Sequence, residues 1–164
     1  MLNIYLGIGG NLGNRLENIR KVITLISERI AVPEKVSPIY LSEPWGFDHA
    51  KYFTNAVIKL NTDLLEDDVL KIILEIEKEL KRIRTKSGYQ GRTMDIDILY
   101  FGDKEIKRDN LEIPHPRIKD RLFVLLPLKD IEPSFIDPIS KVNIIQMLES
   151  CNDKGKIKRL RYGA

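Results

Sequence analysis

One cysteine, Cys151, stands alone among 164 residues, so no internal disulfide can staple this chain and a reducing compartment is expected. No apolar run approaches the ~20 residues that a membrane-spanning helix needs. Met1-Leu2-Asn3-Ile4-Tyr5 places no cationic segment ahead of a hydrophobic one, so no secretory leader is expected. The expectation is a cytoplasmic, soluble protein with no membrane partner. Repeats, low-complexity tracts and Gly/Ser linkers are also missing, which points to a single domain over residues 1–164, long enough to bury a core unaided. A marked excess of either charge is also lacking: a net charge of +3 permits anionic ligands without arguing for nucleic acid. Two phosphate-binding signatures are absent as well. The third of the spaced glycines Gly7, Gly9 and Gly13 falls one residue late for a dinucleotide fingerprint, and no Gly-Lys-Ser/Thr follows them. The plain reading of these glycines is a tight turn that lets the backbone approach a neighbour.

What the chain does have is the stretch Gly91-Arg92-Thr93-Met94-Asp95-Ile96-Asp97-Ile98-Leu99-Tyr100-Phe101-Gly102, a buried-strand pattern interrupted by two charges. Alternation puts Asp95 and Asp97 on one face, with Met94, Ile96, Ile98 and Tyr100 on the other. Two such carboxylates are either a solvated strand face or a holder for a hard cation. Arg82, Arg84, Lys86 and Arg92 lie just upstream. Guanidiniums beside paired carboxylates suit a metal-bound polyphosphate, the cation taking the carboxylates and the arginines taking phosphate oxygens.

The remaining elements follow from periodicity. Asn3 to Gly9 reads as a central strand. Asn14 and Glu17 form a capping pair ahead of Leu16, Ile19, Ile23, Ile26 and Ile30 at helical spacing. Val36 to Ser42 is a strand at an edge or bulge because of Pro38. Glu43 to Lys51 is a loop holding the chain's single tryptophan, Trp45, and Tyr52 to Leu60 is a further strand with Phe53, Asn55, Val57 and Lys59 on one face. Thr62 or Asp63 caps a second helix with the stripe Leu65, Val69, Ile72, Ile73, Ile76 and Leu80. Arg82 to Gly91 is expected as a mobile basic loop. Leu111 to Arg117 is extended, with His115 held between two prolines, and Arg121 to Leu126 is a short core segment. Val142 to Glu149 looks helical, and the basic tail Lys154 to Arg161 is a solvated end. The order β-α-β-β-α-β defines an α+β, ferredoxin-like antiparallel sheet with helices on one face and a C-terminal extension. The face bearing Asp95 and Asp97 should be the open one.

Several segments together carry a resemblance: Gly9-Gly10-Asn11-Leu12-Gly13, Glu43-Pro44-Trp45-Gly46, Phe53-Thr54-Asn55-Ala56, Arg92-Thr93-Met94-Asp95-Ile96-Asp97-Ile98-Leu99, and Pro114-His115-Pro116 leading to Arg121 and Phe123. Over nearly its full length the chain resembles the 6-hydroxymethyl-7,8-dihydropterin pyrophosphokinases of folate biosynthesis. The resemblance implies transfer of the β,γ-diphosphate of ATP to the pterin hydroxymethyl group with release of AMP. It implies two Mg²⁺ ions on Asp95 and Asp97, with Arg82, Arg84 and Arg92 stabilising charge on the transferred group. Glu77, Arg84, Tyr89, Ile98, His115 and Arg121 would bind ATP. Phe53 and Phe123 would sandwich the pterin ring, while Asn55 and groups at Ser42, Pro44 and Trp45 read its edge.

The chain departs from that pattern at Gly10, where a serine is usual, at Gln90-Gly91, where Gly-Pro is usual, at Tyr89, where a tryptophan is common, and at Leu74, where some members place a polar nucleotide contact. Expected partners are the two small substrates, with no nucleic acid, acting on a monomer. The rival reading is a ferredoxin-like nucleic-acid-binding module that uses the basic loop and tail. It calls for stacking aromatics where the central strand offers aspartates.

Overall fold

The computed structural model describes residues 1–11, 14–43, 52–86 and 94–160, without the side chains of residues 82–86. Its frame is a six-stranded sheet. In chain order the elements are β1 (Leu2–Gly10), α1 (Arg15–Arg29), β2 (Lys35–Val36), β3 (Tyr40–Ser42), β4 (Phe53–Thr62), α2 (Glu66–Lys86), β5 (Asp95–Phe101), the hairpin β6 (Ile106–Arg108) and β7 (Leu111–Ile113), α3 (Leu122–Ile131), α4 (Ile144–Glu149) and β8 (Ile157–Arg159). Strands run in the order β5-β1-β4-β3-β8 with every pairing antiparallel, and β2 also pairs with β4. Within it, β5-β1-β4-β3 is the ferredoxin-like arrangement that the β-α-β-β-α-β order predicts.

Each strand or helix follows from its residues, with four corrections. Pro38 splits the expected 36–42 strand into β2 and β3. Between them Ser37 keeps the ladder going, donating its N–H to Val57 O and accepting the Val57 N–H on its hydroxyl oxygen, both at 2.9 Å. Neither Thr62 nor Asp63 caps α2. Leu65 O takes the Val69 N–H at the start of the helix, and Thr62 Oγ1 instead accepts from Leu64 N at 3.1 Å. The helix also runs on through Lys86, so Arg82 and Arg84 sit on its last turns rather than in a loop. Good helix formers without Gly or Pro before Gly88 continue the helix, and cations suit its C-terminal end. The remainder of the expected mobile loop, 87–91, lies outside the described residues. Finally, the basic tail is not simply a solvated end: Tyr40, Leu41 and Ser42 pair with Arg159, Lys158 and Ile157, making β8 the edge of the sheet.

One sheet face is covered by α1 and α2. Ile4, Leu6, Ile8, Ala56, Ile58, Leu60, Ile96 and Ile98 pack there against Ile19, Val22 and Ile26 of α1 and Val69, Ile73, Ile76 and Leu80 of α2. The opposite face is not wholly open. Tyr5, Val57, Leu99 and Tyr100 lie beneath Val124, Leu125, Leu128 and Ile131 of α3 and Ile144 and Met147 of α4. Tyr100 reaches this face because the β1–β5 register shifts, Tyr5 pairing with Tyr100 but Leu6 with Ile98. Leu99 is the extra residue of a β-bulge, which turns Tyr100 away from Ile96 and Ile98. The tyrosine hydroxyl donates to Asp137 Oδ2 at 2.6 Å, a buried pair whose carboxylate also accepts the N–H groups of Ile139 and Ser140. What stays part-exposed is the area of that face past Tyr5 on β1, with Gly7, Gly9, Asp95 and Asp97.

Candidate active site

The part-exposed area is set by cross-strand register. Gly9 of β1 pairs with Asp95 on one side and Asn55 on the other, and Gly7 pairs with Asp97 and Val57. Paired residues project to the same face, so Asp95, Asp97 and Asn55 rise from one surface with two glycines between them. Neighbouring strands lie about 4.8 Å apart, which places Asp95 and Asn55 roughly 10 Å from each other across a floor without side chains. That floor is tight: a Cβ on Gly9 would meet Asn55 Oδ1 at 3.0 Å, and one on Gly7 would meet the Leu99 side chain at 3.4 Å. The glycines are strand residues, not a turn, and their role is to lack side chains. Their i, i+2 spacing was the sequence signal for it.

Continuing across the sheet, Asn55 pairs with Tyr40 and Phe53 with Ser42. The buried Asn55 carboxamide donates from Nδ2 to Ser42 Oγ at 2.8 Å, which fixes its orientation and leaves Oδ1 over Gly9. Phe53 is half-buried at the start of β4. Phe123, also half-buried, sits on the first turn of α3, with the Arg121 guanidinium 5.4 Å from its ring centre. Phe53, Asn55 and Ser42 therefore share one patch of sheet, and Phe123 belongs to the helix packed over that face at β4.

At the carboxylate end, Glu77 of α2 reaches the outer edge of β5 and accepts the Ile96 N–H at 2.8 Å. Burial, and after it the nearby charges of Asp95 and Asp97, push the Glu77 carboxyl above the usual glutamate range. Asp95 and Asp97 themselves are half-exposed. The donor set is oxygen only, as a hard cation such as Mg²⁺ requires, and such a charge would relieve the crowding of carboxylates that Glu77 registers. No group of three or more ligating side chains occurs among the described residues.

His115 follows the cis Ile113–Pro114 bond, and its N–H donates to Leu99 O at 3.0 Å, tying it to the bulge of β5. Its Nδ1 accepts from Arg117 N at 3.1 Å. The free proton of a neutral imidazole therefore sits on Nε2. Burial lowers its pKa; the Asp97 charge opposes this and Arg121 adds to it. The ring is thus a neutral donor beside Asp97 and Arg121. Ile98 presents no side chain here, being buried on the helix side of the sheet, and Leu74 is exposed on α2. Pro44, Trp45, Tyr89 and Arg92 lie outside the described residues, as do the side chains of Arg82 and Arg84.

Residues 5–133 match the family 7,8-dihydro-6-hydroxymethylpterin-pyrophosphokinase (HPPK). The chain belongs to this family. A 2-amino-4-hydroxy-6-hydroxymethyldihydropteridine pyrophosphokinase of Aquifex aeolicus is 40% identical over 139 residues, covering 85% of this chain and 86% of that one. An enzyme of the same name from Synechocystis is 35% identical over 87% of this chain and 73% of its own length. The folic acid synthesis protein FOL1 of Dictyostelium discoideum is 37% identical over 96% of this chain, which spans only 24% of it. Among solved structures, wild-type HPPK-DHPS of Plasmodium falciparum superposes with a TM-score of 0.74 at 16% identity, over 91% of this chain and 44% of that one. That likeness is one of fold. No helix among the described residues is long and apolar enough to cross a membrane.

Proposed function

We propose that this HPPK-family chain, as a single domain over residues 1–164, transfers the β,γ-diphosphate of ATP to the hydroxymethyl group of 6-hydroxymethyl-7,8-dihydropterin and releases AMP. The observation that carries the reading is Gly9 lying between Asp95 and Asn55. A bare strip of backbone separates an anionic, cation-holding end from an amide-lined end. A flat heterocycle on the Asn55 side would therefore hold its substituent toward the carboxylates.

At the heterocycle end, Asn55 Oδ1 and Ser42 offer edge hydrogen bonds and Phe53 and Phe123 supply stacking faces, while Pro44 and Trp45 would add pterin contacts. At the other end, Asp95 and Asp97 would hold two Mg²⁺ ions, whose chemistry is to neutralise phosphate charge and align the acceptor oxygen. His115 would donate from Nε2 to a phosphate or ribose oxygen without carrying a charge, and Arg121 would add a cationic contact beside it. Ile98 directs its main chain off the same sheet edge as Ile96, so its backbone would meet the nucleotide, which Glu77 and Tyr89 would also bind. Arg82, Arg84 and Arg92 would approach the transferred group from the end of α2 and the segment after it. The hydroxymethyl oxygen bonds to the β-phosphorus as the bond from that phosphorus to the α,β-bridging oxygen breaks. AMP leaves with the bridging oxygen and the hydroxyl proton passes to solvent. Catalysis of this kind is positioning and charge stabilisation, with little call for a strong base. The protein would work as a cytoplasmic monomer on small-molecule substrates.

Product analysis with Mg²⁺, ATP and the pterin, scoring AMP against ADP beside a no-pterin control, tests this. Pterin-dependent AMP is the expected result. Folded protein that binds Mg-ATP and yields no AMP would overturn the acceptor assignment.

A further inference from the structure

Helix α3 presents Arg121 and Phe123 at its first turn, yet nothing local caps it. Arg121 occupies the N-cap position and makes no side-chain cap hydrogen bond, since a guanidinium can only donate. The missing acceptor comes from 31 residues downstream, where Asp153 Oδ2 accepts the Leu122 N–H at 3.1 Å. The other carboxylate oxygen, Oδ1, accepts the Gly155 N–H at 2.8 Å, which turns the chain toward β8. From that turn β8 runs along β3, with Ile157 opposite Ser42 and Arg159 opposite Tyr40. Arg159 also neighbours the Tyr40 hydroxyl, which is bonded to Asp130 near the far end of α3. One short segment thus grips the start of the helix wall and the strand that carries the Ser42 edge of the floor. It lies beyond the residues matched to the family, 5–133.

We propose that Asp153 is a positioning residue for substrate binding: its carboxylate fixes the first turn of α3, and with it Arg121 and Phe123, over the floor made by Ser42 and Asn55. The inference rests on the pyrophosphokinase reading above, under which those two side chains meet substrate. Asp153 touches no substrate itself. Its effect therefore belongs in KM and not in the chemical step.

The test compares wild type with Asp153→Ala and Asp153→Asn by steady-state kinetics. Asp153→Ala should raise the KM for the pterin about fivefold, the scale of a lost N-cap, with kcat changed far less. Asp153→Asn should recover most of this because the carboxamide keeps one acceptor. An unchanged pterin KM in Asp153→Ala, or an asparagine variant no better than alanine, would overturn the proposal. If Asp153→Ala does not fold, Leu122→Pro removes the same N–H from the donor side, proline being well suited to the first helical position. It should produce the same KM rise, and a normal KM would count against the role of Asp153. Amide hydrogen exchange without substrate tests the positioning separately: Val124 and Leu125 should exchange faster in Asp153→Ala while α1 does not change, and uniform exchange would overturn it. Wild type that makes no pterin-dependent AMP would instead mark failure of the functional reading, and the exchange measurement would still decide the role of Asp153.

Discussion

The Glu77 carboxylate accepts the backbone N–H of Ile96 at 2.8 Å, so a helix side chain fastens the free edge of the strand that carries both candidate metal ligands. Removing that acceptor leaves a donor unpaired between Asp95 and Asp97. Glu77→Ala should therefore cost about 1–2 kcal/mol in urea unfolding, and Glu77→Gln, which keeps an acceptor oxygen, should cost less than half as much. Equal losses in the two variants would mean that the Ile96 contact does not hold the edge.

Asp95 and Asp97 face the open floor from the same strand. Replacing either with alanine should lower kcat/KM by at least about 3 kcal/mol of transition-state stabilisation, while pterin affinity, read by fluorescence titration without metal, stays close to wild type. Retained turnover in either variant would sink the cation assignment.

Gly9→Ala would place a methyl 3.0 Å from Asn55 Oδ1 and 3.4 Å from Thr54 O. The carboxamide must give way, and its bond to Ser42 Oγ with it. Pterin KM should rise about tenfold, as small displacements of positioning groups do, with little loss of thermal stability. An unchanged KM would show that the carboxamide end takes no part in binding.

The His115 pKa is held down mainly by burial, with Arg121 contributing. A histidine whose folded pKa lies below its unfolded value binds fewer protons when folded, so its contribution is present above the unfolded pKa and is lost as pH falls through the folded one. In metal-free protein, an NMR titration should place His115 below 6.5. Stability should fall toward acid through that window in wild type, and the slope there should be smaller in His115→Asn. A midpoint at or above the usual histidine value would show that Asp97 outweighs burial.

Much of this arrangement was legible in the sequence because strand alternation is simple. Asp95 with Asp97, and Phe53 with Asn55, Val57 and Lys59, are on the faces that period-two counting assigns. Tyr100 is not, because Leu99-Tyr100-Phe101 is apolar throughout and a bulge inside such a run leaves no mark in a binary pattern. The continuation of α2 past Arg82 was hidden by its own charges, which resemble a loop while being good helix formers. Pairing of β8 with β3 was masked in the same way, since the Lys and Arg of Ile157–Arg159 read as a solvated tail although positive side chains are common on edge strands. The cap from Asp153 to Leu122 spans 31 residues, and no local motif encodes so distant a contact.

The buried bond from Tyr100 to Asp137 anchors β5 away from the open floor. Tyr100→Phe removes one of three donors to that carboxylate and should cost about 1–3 kcal/mol of stability with both KM values unchanged. A large KM effect would mean that the bulge at Leu99 transmits strain into the site.

The placement of β8 also bears on synthesis at the ribosome. Until residues 157–159 have been made, β3 has a neighbour on one side only, and its outer row of peptide groups is bare. Contacts so distant in sequence form late, so the nascent chain passes through an interval with an unpaired strand available to other chains. During that interval, self-association competes with completion of the sheet.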